Sequence, residues 1–303
     1  MIFKNGPRED GGFGDRLSVY TVRTLAALPW SLAIKLAGIL GFFLTLTNIA
    51  KPYRIAKINL ALCLPSVPEN ERVKLAKSSV VSMVKNVVAG AISWVAPTSS
   101  MNAKISQVEG EDLLQSALGH GRGVIFISPH MGCWEFINFY LCSRFDLVIL
   151  AKPFGGPLLN ELIEEGRSRL RGTLVPTNEK GVRALLGALK KGGMSYMTPD
   201  HVPKDGAGLY APFFGVSTTT GILPSRLVQK TGAVVLAVTC TLTKDNAFLI
   251  RFIAPDPSIY SDDLKISVAG LNLSIEKCIR TCPDQYQWSY RRFKDIEGGT
   301  NPY

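Results

Sequence analysis

The sequence has 303 residues, 46% hydrophobic and 19% charged, which allows one large core or two modest ones and excludes a disordered chain. The net charge of +10 indicates an anionic partner, and charge alone leaves nucleic acid, anionic lipid and an acidic carrier protein open. Six cysteines without a Cys-x-x-Cys pair and three histidines without a His-Glu-x-x-His motif favour reduced thiols and predict no metal site.

The first predicted element is an apolar segment between Arg23 and Lys51 in which Lys35 is the one charged residue. Its length reaches the roughly 20 residues that a bilayer-spanning helix needs, and a helix packed on the protein's own body is the alternative. Basic residues flank the segment on both sides, so the positive-inside rule leaves its orientation open. We predict a membrane-inserted or interfacial helix, with residues 1–50 as leader and membrane anchor and residues 51–303 as the main domain.

Beyond this segment, apolar runs of strand length alternate with helical patterns. The predicted strands cover residues 123–128, 146–151, 233–240 and 247–254. Apolar residues recur at helical spacing over residues 182–189 and 264–279. This alternation predicts a single layered α/β domain. Neither a Gly-x-Gly-x-x-Gly motif after a strand nor a phosphate-binding Gly-x-x-x-x-Gly-Lys loop occurs, which disfavours classical dinucleotide and nucleoside-triphosphate sites.

The most informative stretch follows the first of these strands. The strand stops at Pro129, and His130 comes next, at the edge where open α/β sheets bind ligands. Glu135, in the first turn of the following helix, is predicted to reach back to the imidazole and fix its tautomer. The other ring nitrogen is then free to take a proton from an alcohol. His130 and Glu135 are therefore the predicted catalytic residues, and Cys133 as a nucleophile is the alternative.

Four blocks of sequence carry a resemblance to a known family. They are HMGCWE from His130, EGRSRLRG from Glu165, MTPDHVPKDGAGLYAPFFGVSTTTG from Met197 and PDQYQWSYRRFK from Pro283. In this order they resemble the bacterial lipid A biosynthesis late acyltransferases, the lauroyl/myristoyl transferases, within the lysophospholipid acyltransferase superfamily. The His-x4-Glu pattern is shared across the superfamily, whereas the last two blocks are more specific. The resemblance spans nearly the whole chain.

The resemblance implies an acyltransferase domain in residues 51–303 that moves a fatty acyl chain from an acyl carrier protein to a hydroxyl of a lipid A precursor. It implies a bacterial inner-membrane protein with its catalytic domain on the cytoplasmic side, and neither metal nor cofactor. His130 is expected to deprotonate the hydroxyl, which attacks the thioester directly, while Glu135 orients His130. The sequence leaves open the acyl chain length, the acceptor hydroxyl, and the choice between acyl carrier protein and coenzyme A as donor.

Four further residues are predicted to bind substrate. Arg167 matches a family arginine and is expected to bind an anionic group, with a solvated helix face as the alternative. Arg169 is a second candidate of the same kind. Asp200 and His201 follow an apolar run at a predicted strand end, where they line the pocket or cap the turn.

The sequence leaves two other functions open. In one of them, the acceptor is another lipid, such as a lysophospholipid, a glycolipid or an ornithine lipid. In the other, the chain is a basic, membrane-tethered module that binds anionic lipid. Nucleic acid is not an expected partner, because basic and aromatic residues interleave only in one short run at residues 286–294. The expected partners are therefore acyl carrier protein, a lipid A precursor and the inner membrane.

Overall fold

The computed structural model describes residues 11–46, 50–153, 155–203 and 206–303. The helices in these ranges are α1 (Phe13–Ala27), α2 (Trp30–Leu46), α3 (Lys51–Cys63), α4 (Glu69–Val95), α5 (Thr98–Asn102), α6 (Glu111–Gly119), α7 (Trp134–Cys142), α8 (Pro157–Ser168), α9 (Glu179–Lys190), α10 (Leu223–Thr231) and α11 (Leu264–Thr281). The strands are β1 (Ile105–Glu109), β2 (Val124–Ile127), β3 (Leu147–Ala151), β4 (Gly172–Pro176), β5 (Met194–Met197), β6 (Gly208–Phe213), β7 (Val216–Gly221), β8 (Val234–Leu242) and β9 (Phe248–Ile253). Strands and helices alternate strictly from β1 to β5.

Within the described ranges, seven strands form one sheet in the order β1-β9-β8-β2-β5-β3-β4. Neighbouring strands are parallel except β8 and β9, which are antiparallel. The central strand β2 is paired on both sides, with Phe126 opposite Leu236 of β8 and Tyr196 of β5. The predicted α/β class is confirmed, and each predicted apolar run overlaps a strand of this sheet.

The core lies on both faces of the sheet, and β2 is buried between its two halves. Successive side chains of a strand point to opposite faces, so Phe126 packs with Phe136 of α7 while Ile127 joins Ile275 of α11. Burial of one such side chain is worth about 1.5–3 kcal/mol. This two-sided burial accounts for the unbroken apolar sequence of β2 and holds its carboxyl end in place.

The N-terminal apolar segment forms two helices rather than one. Pro29 lies between α1 and α2, and its fixed φ, its missing N–H and its restriction of the preceding residue end α1 there. One side of α2 packs against α4 and buries Ala33, Ile34 and Ala37. The opposite side exposes large apolar side chains, namely Leu36, Ile39, Leu40, Phe42, Phe43 and Leu46.

Among the helices of the described ranges, α4 by itself has the length and apolar composition of a membrane span. A bend of 74° separates α2 from α3, which pass the same test only as a pair. Of the most apolar 18-residue window of α4, 44% is buried inside the protein. A large part of α4 is thus a core helix, and the outward-facing apolar surface belongs mainly to α2.

The segment after α11 returns the chain to the carboxyl end of β2. The N–H of Gly132 donates to the carbonyl of Gln285 at 2.8 Å, and the N–H of Gln287 donates to the carbonyl of His130 at 3.0 Å. Further on, the buried guanidinium of Arg292 donates to the hairpin formed by β6 and β7. The loop after β2 is therefore held by backbone hydrogen bonds from the C-terminal segment.

Candidate active site

Polar residues meet at the carboxyl ends of β2 and β5, which are parallel neighbours in the sheet. The N–H of Ser128 donates to the carbonyl of Met197 at 3.1 Å, which extends the strand pairing by one residue. His130 follows two residues after Ser128, and Asp200 follows three residues after Met197. The parallel pairing therefore brings the two side chains to the same point of the sheet edge, where ligands bind in folds of this class.

Asp200 holds His130 through both of its carboxylate oxygens. Its Oδ1 lies 2.7 Å from Nδ1 of the His130 ring, and its Oδ2 accepts the backbone N–H of His130 at 3.0 Å. An ionised carboxylate only accepts hydrogen bonds, so Nδ1 carries the proton and Nε2 of the neutral ring is the basic atom. Nε2 has no hydrogen-bond partner among the described residues, and the side chain is 15% exposed.

The electrostatic state of Asp200 agrees with this assignment. The residue is 2% exposed, and burial by itself would raise its pKa. The charge that His130 carries when protonated, the two hydrogen bonds from that residue and the nearby His201 outweigh burial and hold the pKa of Asp200 well below its usual range. Asp200 is therefore a carboxylate that stabilises a positive charge on His130.

Aromatic rings fix the plane of the His130 imidazole. The ring of His201 stacks on it with centroids 3.6 Å apart and 4° between planes, and Tyr290 stacks on the far face of His201 at 3.7 Å. Trp134 meets His130 edge-on at 5.3 Å. Burial, and then the charge of His130, lower the pKa of His201 to about 4, so this ring is neutral near pH 7.

His130, Asp200 and His201 also bring three metal-type ligand atoms within 4.8 Å of one another. Their arrangement fits a metal ion poorly. The two imidazole planes are parallel, so the nitrogen lone pairs lie in separate planes instead of converging on one point. A metal on Nδ1 of His130 would also displace the hydrogen bond from Asp200. The cluster is suited to proton transfer.

Glu135 does not make the predicted hydrogen bond to His130, so that prediction is wrong. Its Oε1 accepts Nη2 of Arg167 at 2.6 Å, and its Oε2 accepts Nε of Arg167 at 3.3 Å and Nε1 of Trp94 at 3.1 Å. The reason is the direction of the first turn of α7, which points Glu135 away from the strand end and into the contact between α4 and α8. Asp200, on the neighbouring strand end, takes the place that Glu135 was expected to fill.

The Glu135–Arg167 pair is an ion pair of fixed charge. The two side chains are 18% and 21% exposed. Burial would raise the pKa of Glu135, but the charge and hydrogen bonds of Arg167, the hydrogen bond of Trp94 and the charge of His130 lower it overall. Burial would lower the pKa of Arg167, and Glu135 raises it instead. The anion that Arg167 binds in this structure is therefore a residue of the same chain.

Comparison with known proteins identifies the family. Residues 3–295 match the family described as bacterial lipid A biosynthesis acyltransferase. The chain belongs to this family. It is therefore an O-acyltransferase acting in lipid A biosynthesis, and the resemblance of the four sequence blocks is confirmed.

Curated relatives agree with the family over most of the chain. The acyltransferase is 33% identical over 244 residues to the lipid A biosynthesis palmitoleoyltransferase of Escherichia coli K12, covering 79% of this chain and 78% of the relative. It is 26% identical over 282 residues to the lipid A biosynthesis lauroyltransferase of the same strain, covering 92% and 90%. A lipid A biosynthesis acyltransferase of Haemophilus influenzae is 25% identical over 294 residues, covering 96% and 91%.

Arg169 and Cys133 of the acyltransferase both have structural contacts. Nη2 of Arg169 donates to the carbonyl of Ser93 at 2.6 Å, and its guanidinium lies 5.7 Å from the ring of Phe139. Cys133 is 1% exposed, and burial raises the pKa of its thiol well above the usual range. A buried thiol of raised pKa is a poor nucleophile, because the thiolate is the reactive form.

Sequence reasoning missed the partner of His130 and part of its surroundings. Asp200 was predicted at the pocket but with another role, and neither Trp94 nor Tyr290 was predicted at the site. The pairing with Asp200 had a usable signal, since both residues follow apolar runs that end in Ser-Pro or Thr-Pro. No local pattern points to Trp94 or Tyr290, because both reach the site from helices or turns that are distant in sequence.

Proposed function

We propose that the protein transfers a fatty acyl chain from an acyl carrier protein thioester directly to a hydroxyl of a lipid A precursor, with His130 as general base. The observation that carries the proposal is the hydrogen bond from Nδ1 of His130 to the buried Asp200. It fixes the tautomer in which Nε2 accepts a proton. A base with one nitrogen fixed and the other free is suited to activating an alcohol.

The reaction proceeds in two proton transfers through His130. Nε2 takes the proton of the acceptor hydroxyl as its oxygen attacks the thioester carbonyl carbon, forming the new C–O bond. The C–S bond of the resulting tetrahedral intermediate then breaks, and the leaving sulfur takes the proton back from the imidazolium. Asp200 stabilises the imidazolium between the two steps. A positioned general base contributes about 10²–10⁴-fold, so binding of both substrates supplies the remaining acceleration.

Glu135 acts on His130 through its charge and through the shape of the loop. Arg167 and Trp94 hold its carboxylate in place, and this negative charge attracts the imidazolium that forms at His130 during the transfer. The side chain also packs against Gly90 of α4, where an added Cβ would lie 3.0 Å from Cβ of Glu135. Any larger residue at position 90 would therefore press on the start of α7, four residues after the base.

The other predicted substrate-binding residues take positioning roles in this proposal. Arg167 fixes Glu135, and Arg169 ties α8 to α4 through Ser93. Asp200 orients His130, and His201 holds the plane of its ring. An acidic acyl carrier protein would be electrostatically complementary to this chain, whose net charge is +10.

A direct transfer without an acyl-enzyme is supported by the state of Cys133. Its thiol is buried, its pKa is raised, and its Sγ lies beside the position of a Cβ added at Gly90, at 3.8 Å. A covalent route would need an exposed thiolate at this position.

The decisive experiment mixes purified full-length protein, radiolabelled acyl–acyl carrier protein and a lipid A precursor in detergent micelles. We expect a product heavier than the acceptor by one acyl group, and much slower transfer from acyl-coenzyme A. Cys133→Ser should keep most of the activity, and the wild-type protein incubated with donor alone should show no added acyl mass. Acylation of a lysophospholipid but not of the lipid A precursor would replace the proposed acceptor. An acylated protein that is lost in Cys133→Ser would replace the direct mechanism.

We further propose that the N-terminal residues attach the protein to the cytoplasmic side of the bacterial inner membrane, with residues 51–303 as the acyltransferase domain. Support comes from α2, whose outward side exposes 55% of Phe42 and 60% of Phe43. Such an apolar face suits the boundary between headgroups and acyl chains. Phe42→Ser/Phe43→Ser should move much of the protein to the soluble fraction, whereas Leu273→Ser, on α11, should not. Full membrane retention of the double variant would argue against α2 as the anchor.

A further inference from the structure

A cavity lies apart from His130, between α4, the turn that joins β8 to β9 and the segment that follows α11. Trp30 of α2 fixes the turn by donating to the carbonyl of Asn246 at 2.7 Å. The side chain of Gln285 fixes its start, accepting the N–H of Leu242 at 3.0 Å and donating to its carbonyl at 2.7 Å. The cavity measures about 190 Å³ and opens to solvent. Its polar lining includes Ser82, Lys85, Asn86, Thr243, Lys244 and Asp284. The site is thus built from elements that are already held together.

Three lysines give this region an excess of positive charge. Lys85 and Lys244 line the cavity, and Lys35 lines the groove that adjoins it. None of the three makes a hydrogen bond or an ion pair with any residue that the structure describes. Lys85 packs closely on Gly38, because its Cε lies 2.8 Å from the position of a Cβ added there. Asp284 is the one carboxylate that lines the cavity among the described residues. Unpaired lysines at a preformed cavity are suited to binding phosphate as point charges.

Hydrogen-bond acceptors stand beside these cations. Asn86 is 2% exposed and its Oδ1 has no hydrogen-bond partner, while its Nδ2 reaches Oε1 of Gln285 only at 3.5 Å. A carboxamide held so weakly can turn toward the cavity, and the unmet acceptor favours a ligand that brings a donor. Asp284 is a second acceptor on the same wall. The cavity therefore suits a ligand that has both an anionic group and O–H or N–H donors, as a phosphorylated sugar does.

An apolar groove of about 600 Å³ continues from the cavity along α2. Ile39, Phe42 and Phe43 line it on one side and Val81 of α4 on the other, and Lys85 belongs to both the groove and the cavity. An amphiphile fits this arrangement with its headgroup at the lysines and an acyl chain along α2. A free phosphate or a soluble sugar phosphate would leave the groove unused.

The cavity is connected to the catalytic loop by two short structural links. Along α4, Asn86 and Gly90 are one helical turn apart, about 6 Å, and Gly90 packs against Glu135. On the other wall, the carbonyl of Gln285 accepts the N–H of Gly132, two residues after His130. A headgroup in the cavity therefore lies beside the loop that carries the base.

We propose that this cavity binds a phosphate of the acylated sugar headgroup of the acceptor, through Lys85 and Lys244 with Lys35 at the groove. The inference rests on the proposed function for the identity of the acceptor. It assigns acceptor recognition to residues that lie outside the His130 cluster. Each charge-assisted contact to the phosphate changes affinity by about 10-fold or more.

The test compares Lys85→Gln/Lys244→Gln with a control of equal charge, Lys77→Gln/Lys265→Gln, whose lysines line neither cavity nor groove. We expect the cavity variant to raise the KM for a phosphorylated, acylated glucosamine disaccharide by about 10–100-fold, with kcat and the KM for acyl–acyl carrier protein within about twofold of wild type. The control should match wild type. With the same acceptor after phosphatase treatment, wild type and cavity variant should have equal KM. Lys244→Gln alone, in an exposed turn, should give part of the effect without a change in Tm.

A second arm measures binding without turnover, so that it does not depend on the proposed reaction. Wild type should bind the phosphorylated disaccharide lipid in neutral detergent micelles about 10-fold more tightly than the cavity variant does. An unchanged KM in the cavity variant, or an equal rise in the control, would overturn the proposal. So would weaker binding of the cavity variant to phosphatidylglycerol vesicles together with unchanged binding of the disaccharide lipid. If wild type binds the lipid through the cavity but does not acylate it, the proposed function fails and the site stands.

Discussion

Two carboxylates lie close to His130, and they differ in their partners. Asp200, at the sheet edge, binds an imidazole that can gain and lose a proton. Glu135, between α4, α7 and α8, binds a guanidinium whose charge is permanent. The charge of the Asp200–His130 pair changes as His130 gains and loses a proton during a reaction, whereas the Glu135–Arg167 pair keeps one charge state throughout. The partner of a carboxylate, rather than its distance along the chain from the base, decides which role it can take.

The two pairs also differ in how they are held. Asp200 uses both oxygens on one residue, so that loss of either atom frees the imidazole ring or the backbone of His130. Both oxygens of Glu135 accept from Arg167 and Oε2 also accepts from Trp94, so the carboxylate joins three helices. We therefore expect substitution of Asp200 to lower mainly kcat, and substitution of Glu135 to lower the stability of the fold as well.

The largest effect should come from breaking the first pair. His130→Ala removes the base and should lower kcat by about 10⁴-fold. Asp200→Asn keeps the shape of the partner but lets it donate to Nδ1, so that the ring adopts the wrong tautomer, and a loss of about 10²–10⁴-fold is expected. The double variant should be little worse than His130→Ala, because residues that act as a unit are non-additive.

Steady-state transfer assays on variants with a wild-type circular dichroism spectrum measure these losses. A double variant whose loss equals the product of the two single losses would mean that Asp200 acts independently of His130. Asp200→Asn with near-normal kcat would remove Asp200 from the mechanism.

The second pair should respond chiefly in stability. Glu135→Gln leaves the guanidinium of Arg167 without its counter-charge, and Arg167→Met leaves the carboxylate of Glu135 without its own. Each substitution should therefore lower the free energy of unfolding by about 3 kcal/mol. The double variant should lose less than the sum of the two single variants. The exposed pair Arg183–Glu179, with side chains 79% and 88% exposed, supplies the control, and Glu179→Gln should change stability by about 0.5 kcal/mol or less.

Chemical denaturation gives the stabilities, and the transfer assay on the same samples gives kcat. If Glu135→Gln lost as much kcat as Asp200→Asn while keeping wild-type stability, Glu135 would take a direct part in the chemistry. That result would restore the role that the sequence first indicated.

The smallest effect concerns the ring that supports His130. The pKa of His201 is lowered to about 4 in the folded protein, below the value of 6.5 for an unperturbed histidine. Between these two pH values the unfolded chain binds more protons than the folded one, so the free energy of unfolding falls as pH is lowered. His201→Phe keeps a stacked ring and removes this titration. It should reduce the loss of stability between about pH 7 and pH 5.5 by roughly 1 kcal/mol.

Urea denaturation of both proteins at the two pH values measures the difference. An identical pH dependence in wild type and His201→Phe would mean that His201 titrates normally. A steeper dependence in the variant would reverse the sign of the assigned shift.

Local sequence patterns determined the class of the fold and the position of the base. The apolar run of β2 is buried on both faces, and a strand of that kind needs no tertiary information to be recognised. Pro129 ends this apolar run, so His130, the next residue, lies at the carboxyl end of the strand. The four sequence blocks determined the family, which the match over residues 3–295 confirmed.

The tertiary structure decided which carboxylate meets the base. Glu135 is five residues from His130 along the chain but turns away with α7, whereas Asp200 is seventy residues away and adjoins it because β2 and β5 are parallel neighbours. The order of strands in a sheet is set by packing over the whole core, and no short pattern encodes it. The same holds for the cavity and its adjoining groove, since Lys35, Lys85 and Lys244 belong to three separate elements. Residue types and local periodicity thus specify elements and their ends, and only the packing of those elements specifies which side chains meet.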